Sequence, residues 1–262
     1  MHAIGWGAAF NRALAWSNCT LLTLLVPPST PPLHARTHAC TRARSLLCCA
    51  CAGRKTLTDL GLDYVDLYLI HFPISTQFVP FETAYPPEWC LPGTEKMVPI
   101  NVPLSRTWAG MEGLVSKGMA KNIGLSNYSI QLIADLLTYC KVKPTVLQVE
   151  IHPHNQQDKL VAWCSTKGIK VTGFSPLGAK SYSWLDGDVQ VAVFDEPILK
   201  RIAAAHQKSV AQICIRWQVQ RGLTVVPKSC NPGRLSENLD VFGFELTEQD
   251  MTDIATINKD RR

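Results

Sequence analysis

Asn122-Ile123-Gly124-Leu125-Ser126-Asn127 is a short β-rich run that ends in two polar residues, and a helical stripe of Ile130, Ile133, Leu136 and Leu137 follows it directly. A second β-rich run, Val146 to His152, comes next. Strand, helix and strand in about thirty residues make a βαβ unit, whose two strands must lie parallel. The same alternation extends outward in both directions. Tyr64 to His71, Lys170 to Ser175 and Leu223 to Ser229 read as further strands. Leu160, Val161 and Cys164, and then Val210, Ile213 and Trp217, mark helical stripes between them. No G-x-G-x-x-G follows any strand and no G-x-x-x-x-G-K occurs, so neither a classical dinucleotide fold nor a P-loop is signalled. A β/α barrel is the favoured architecture. In such barrels chemistry lies at the C-terminal ends of strands. Here those ends read Ile70-His71-Phe72-Pro73, Gly124 to Asn127, Gln148-Val149-Glu150-Ile151-His152, Phe174-Ser175-Pro176-Leu177-Gly178 and Pro227-Lys228-Ser229. Five polar strand ends are expected to converge on one ligand.

A chain of 262 residues can form one large domain with an ample core. Its net charge is +5, but the first 58 residues hold six Lys and Arg and no Asp or Glu, leaving twenty basic against twenty-one acidic side chains downstream. A near-neutral remainder argues against a nucleic-acid-binding face. Residues 1–53 form a low-complexity segment rich in Arg, Ala, Cys, His and Pro. It is expected to be disordered, either as a transit-like leader or as a mistranslated stretch, and residues 54–262 are expected to form the folded domain. The apolar run Leu21 to Val26 is cut short by Pro27-Pro28, so no membrane span is expected. Cys90, Cys140, Cys164, Cys214 and Cys230 show no paired spacing and read as reduced, mostly buried thiols. The lone Cys48-x-x-Cys51 lacks the second ligand pair that zinc requires, so no metal is expected. The location implied is cytoplasmic, or an organelle if the leader acts as a transit peptide.

The stretch Leu60-Gly61-Leu62-Asp63-Tyr64-Val65-Asp66-Leu67-Tyr68-Leu69-Ile70-His71 resembles the fourth strand of the aldo-keto reductases. Gly124 to Asn127 resembles the fifth, Gln148 to Pro153 the sixth, Phe174 to Gly178 the seventh, and Val226 to Asn238 the eighth with its adenosine-phosphate loop. The loop Phe72-Pro73-Ile74, Phe78-Val79-Pro80-Phe81-Glu82 and Tyr85-Pro86-Pro87 is similar to that of xylose (aldose) reductases. The resemblance implies an incomplete (β/α)8 TIM barrel of about five βα units, strands 4 to 8, NADP(H) as cofactor and a small-molecule carbonyl, an aldose or aldehyde, as substrate. His71 then corresponds to the active-site histidine that hydrogen-bonds the substrate carbonyl. Ser126, Asn127 and Gln148 correspond to the trio that grips the nicotinamide carboxamide, although Asn127 could instead cap the helix that follows it. Phe174 stands where the family stacks an aromatic on the nicotinamide, or alternatively is a core aromatic. Ser175 and Leu177 match the pyrophosphate segment, and Lys228, Ser229, Arg234, Glu237 and Asn238 match the adenosine clamp. A Lys and an Arg beside one pocket suit a 2′-phosphate, so NADP(H) is expected over NAD(H).

The same resemblance exposes what the sequence lacks. The family draws an Asp, a Tyr and a Lys from earlier strands, whereas the first Asp here is Asp59, the first Tyr is Tyr64 and the first Lys is Lys55. None of these falls at a matching strand end. The barrel is therefore expected to stay open, and the chain is expected to end at Arg262 short of the tail that covers the family's substrate pocket. Two functions remain in play: a reductase represented by an incomplete chain, or a cofactor-binding remnant that reduces nothing. An unrelated barrel lyase or isomerase would leave the five motifs unexplained. The sequence leaves the oligomeric state open.

Overall fold

The computed structural model describes residues 46–77, 79, 83, 93, 97–178 and 192–260. Residues 1–45 and most of the xylose-reductase-like loop from Phe78 to Pro87 lie outside the described residues. Five strands, β1 (Val65–Ile70), β2 (Ala120–Ser126), β3 (Val146–Glu150), β4 (Lys170–Phe174) and β5 (Thr224–Val226), form one sheet in chain order. β1 pairs parallel with β2, and β4 pairs parallel with β5. Helices α1 (Leu46–Leu60), α2 (Leu104–Ser116), α3 (Ile130–Tyr139), α4 (Asp158–Thr166), α5 (Pro197–His206), α6 (Val210–Gln220), α7 (Pro232–Leu239) and α8 (Glu248–Ala255) precede, separate or follow the strands. These are five βα units of a (β/α)8 barrel, as the strand pattern implies. The chain divides into two compact units, residues 1–147 and 148–262.

In the first unit all six residues of β1 are buried. That is why Val65-Asp66-Leu67-Tyr68-Leu69-Ile70 reads as a continuous run rather than an alternating one: a parallel strand is covered on both faces. Asp66 is the exception in polarity, and Lys121 of β2 meets its Oδ1 at 3.1 Å. On α2, Trp108 is 1% exposed and its indole Nε1 donates to the Val142 carbonyl at 3.0 Å, so a large apolar ring is buried with its one polar atom satisfied. Gly124 is compulsory. A β-carbon there would overlap the Val146 carbonyl oxygen and lie 2.7 Å from Leu69 Cδ2. α1 begins at Leu46, ahead of the boundary expected after residue 53, and its Cys49 and Ala50 are 1% and 4% exposed. The run Leu46-Leu47-Cys48-Cys49-Ala50 offers no charged face to mark it as amphipathic, which hides the helix from composition.

In the second unit, α6 begins with a capping box in which Ser209 and Gln212 satisfy each other's backbone N–H groups, and α8 begins with the same device from Thr247 and Asp250. Ile213, Trp217, Leu199, Ile202 and Ile254 are 2% exposed or less and form much of its core. Two strands stop two or more residues earlier than the sequence suggests. β3 ends at Glu150 because His152 and Asn155 exchange N–H···O bonds of 3.2 and 2.8 Å in a local antiparallel bridge. β5 ends at Val226 because Pro227 has no N–H to continue a ladder.

Candidate active site

His71 directly follows β1, and Ser126 closes β2; the register sets Ile70 opposite Leu125, so the two lie level at the C-terminal edge of the pair. Asn127 joins them. Its Nδ2 donates to the His71 carbonyl at 2.9 Å and to Ser126 Oγ at 3.1 Å. The backbone of Asn127 is left-handed at φ 61°, a conformation that Asn tolerates better than most residues and that clusters at functional sites. Helix capping is not its task. Ser129 is the N-cap of α3, accepting from the Leu132 N–H. Burial pulls the His71 imidazole from its ordinary 6.5 down to about 4, so the ring is neutral at physiological pH. Its ring centroid is 4.5 Å from that of Phe72. A neutral imidazole still carries one N–H and can donate it to a carbonyl oxygen without introducing a charge.

In the second unit Gln148 is 1% exposed, and its Nε2 has no hydrogen-bond partner among the described residues. A buried amide donor without an acceptor costs roughly 1–3 kcal/mol, so this one calls for a physical explanation. Phe174 ends β4 half-buried rather than in the core, with its carbonyl held by the Ile151 N–H at 3.2 Å. Ser175 follows at φ 49°, the second strained non-glycine at a strand end, and a turn closes from the Gly178 N–H to the Ser175 carbonyl at 3.0 Å. Leu177 lies within that turn, half-buried. Lys228 and Arg234 are exposed and Ser229 and Glu237 half-buried; Asn238 is 4% exposed. Ser229 Oγ accepts from the Asn231 N–H at 3.1 Å, and Asn231 Oδ1 accepts from the Arg234 N–H at 3.0 Å. Those two bonds fix the loop between β5 and α7 and hold Arg234 in the first turn of that helix, where its charge opposes the helix dipole unless an anion is present.

Sequence reading passed over a polar cluster in this unit, buried at His154 and Glu196 and closed by exposed Lys259. His154 Nε2 and Lys259 Nζ both reach Glu196 Oε1, at 2.6 and 2.8 Å, and His152 Nε2 lies 3.5 Å from Glu150 Oε1. Burial raises the Glu196 carboxyl, but the bonds from Lys259 and His154 outweigh it and leave the group below the usual carboxylate range. His152 and Glu150, grouped by sequence with a ligand-binding strand end, are thus engaged with each other. Of the five cysteines expected to be mostly buried, Cys164 and Cys214 are buried, Cys140 is half-buried and Cys230 is exposed; Cys90 lies outside the described residues. No group of three potential metal ligands occurs among the described residues. Nor is any described helix long and apolar enough to cross a membrane.

Parallel β/α architecture with polar residues gathered at the C-terminal ends of strands defines a class of barrel enzymes. Within that class the chain belongs to the aldo/keto reductase family, whose pattern matches residues 48–259. It is 44% identical over 214 residues to a probable NAD(P)H-dependent D-xylose reductase of Arthroderma otae, covering 80% of this chain and 65% of that protein. It is 46% identical over 209 residues to the NADH-dependent D-xylose reductase of Candida parapsilosis, covering 78% and 64%. The chain thus spans slightly less than two-thirds of the length of these relatives. In structure it is similar to a Bombyx mori aldo-keto reductase solved in complex with NADP, with a TM-score of 0.74, 34% identity and coverage of 86% of this chain and 68% of that one. The aldose reductase of Schistosoma japonicum is also similar, at a TM-score of 0.71 and 34% identity, covering 83% and 66%.

Proposed function

We propose that the chain carries the cofactor-binding and carbonyl-binding part of an NADPH-dependent aldose or aldehyde reductase. The observation that carries this reading is the orphaned Gln148 amide, a buried donor of the kind a nicotinamide carboxamide oxygen satisfies. The family resemblance assigns residues to each part of the cofactor. Ser126, Asn127 and Gln148 would hold the carboxamide and Phe174 the ring face. Ser175 and Leu177 would hold the pyrophosphate, with Lys228, Ser229, Arg234, Glu237 and Asn238 around the adenosine and its 2′-phosphate. Bound NADPH supplies the hydride. His71, kept neutral by burial, donates its N–H to the substrate carbonyl and polarises it, while the Asn127 bond to its backbone carbonyl fixes where the ring starts from.

The resemblance assigns no residue of this sequence to the family's Asp, Tyr and Lys, the first Asp being Asp59 and the first Tyr Tyr64. This favours a second reading, in which the chain binds NADPH and turns nothing over, because general-acid catalysis contributes roughly 10²–10⁴-fold. The test is NADPH oxidation by the purified 262-residue chain with xylose and with a simple aldehyde, beside an NADPH titration. Binding without substrate-dependent oxidation is the expected result. Oxidation that His71→Ala abolishes would show that these residues suffice for the chemistry, and an absence of NADPH binding would defeat both readings.

A further inference from the structure

Gln218 on α6 is 0% exposed, an unusual place for a carboxamide. Its Nε2 donates to the Ile151 carbonyl at 2.8 Å. Ile151 lies one residue past the end of β3, where the ladder has stopped, so its buried carbonyl would otherwise lack a strand donor. On its other side, the Ile151 N–H donates to the Phe174 carbonyl at 3.2 Å. One residue, Ile151, thus links Gln218 to Phe174 through the two peptide groups on either side of its Cα.

The room for that link comes from Gly173. A β-carbon on residue 173 would overlap Gln218 Oε1 and stand 3.1 Å from its Cδ, so the carboxamide fills the space that any larger residue would occupy. Side chains alternate along a strand, so Gln218 sits against the face of β4 opposite to the one Phe174 presents. The backbone of Gln218 is pinned as well. Its carbonyl accepts from the Arg221 and Leu223 N–H groups, each at 3.1 Å, at the turn that leads into β5, and β5 sets Val225 opposite Gly173. Gln218 Oε1 has no partner among the described residues. The fold therefore keeps a buried unsatisfied acceptor in order to place the Nε2 donor.

We infer that Gln218 is a positioning residue: through the backbone of Ile151 it fixes Phe174 for the nicotinamide ring, and Gly173 is the glycine that makes this possible. The inference rests on the proposed cofactor site and deepens it. Among the described residues its hydrogen bonds beyond α6 go to Ile151, Arg221 and Leu223 and none to the adenosine loop, so its effect is expected in the nicotinamide half of the ligand.

The experiment measures affinity of the full chain for NADPH and for 2′,5′-ADP, which carries the adenosine and both its phosphates but no nicotinamide. Gln218→Met keeps the volume and removes the donor together with the unsatisfied acceptor. About one hydrogen bond's worth of NADPH affinity, roughly fivefold, is expected to be lost, with 2′,5′-ADP affinity within twofold of wild type. Gln218→Glu adds a signature that a merely structural role does not give. Its protonated acid can donate to the Ile151 carbonyl and its carboxylate cannot, so NADPH affinity of this variant should fall as pH rises, relative to wild type, and it serves equally if the Met variant does not fold. Unchanged NADPH affinity in the variants, or equal weakening of both ligands, overturns the inference while leaving the cofactor site standing. Wild-type chain that binds neither ligand overturns the cofactor site and this inference with it.

Discussion

Replacing Gly124 with Ala puts a methyl group where the Val146 carbonyl oxygen already stands, with Leu69 Cδ2 2.7 Å away. Leu69 can rotate, but the carbonyl belongs to backbone and can yield only if β2 and the start of β3 separate. Overpacking of this kind costs about 3 kcal/mol, the upper end of the usual range, because a backbone atom must move. Ala also restricts the unfolded chain and suits an extended strand better than Gly, which returns about 0.5–1 kcal/mol. The net loss is about 2 kcal/mol. Urea unfolding followed by tryptophan fluorescence reads it directly: with a slope of about 2–3 kcal/mol per molar, the midpoint should fall by just under 1 M with the slope unchanged. A midpoint equal to wild type or higher would refute the close β2–β3 approach from which the figure is worked.

Acid should weaken the fold through His71: its pKa is lower in the folded state, so the unfolded chain takes up the proton first, and stability is lost as pH falls from 6.5 and levels out below about 4. That interval corresponds to at most about 3 kcal/mol, and His71→Gln should flatten the pH dependence of the urea midpoint by a comparable amount. Asn127→Gly should cost less than Asn127→Ala, since both lose the bond to the His71 carbonyl but only Ala keeps a β-carbon at φ 61°; equal losses in thermal unfolding would contradict the left-handed assignment. Burial pushes the Cys164 and Cys214 thiols up to about 11 and about 12, so at pH 8 both should resist an aromatic disulfide reagent until the chain unfolds, while exposed Cys51 and Cys230 react at once.

The parallel order of the strands was legible because both signals it needs are local: buried β-rich runs, and apolar stripes at helical spacing between them. The positions of His71, Ser126, Gln148 and Phe174 at or near strand ends follow from the same runs, whose last residues turn polar. What escaped the sequence depends on contacts distant along the chain. Glu196 and Lys259 meet His154 from 42 and 105 residues away, and no spacing rule links them. Gln218 is one of three glutamines on α6 and looks like a surface residue until Gly173, 45 positions earlier, is seen to leave room for it. The one hint available was the glycine, since Gly inside a strand often marks a close approach. α1 escaped for a different reason, because its first turns carry Leu, Cys and Ala without a polar face.

The proposed cofactor site is tested most directly by titrating the purified chain with NADPH and with NADH, following quenching of tryptophan fluorescence. NADPH should bind saturably and at least about tenfold tighter than NADH, equivalent to about 1.4 kcal/mol from pairing the 2′-phosphate with Lys228 and Arg234, and Lys228→Ala with Arg234→Ala should erase the difference. No saturable binding, or equal affinity for the two nucleotides in the unmodified chain, would contradict the account.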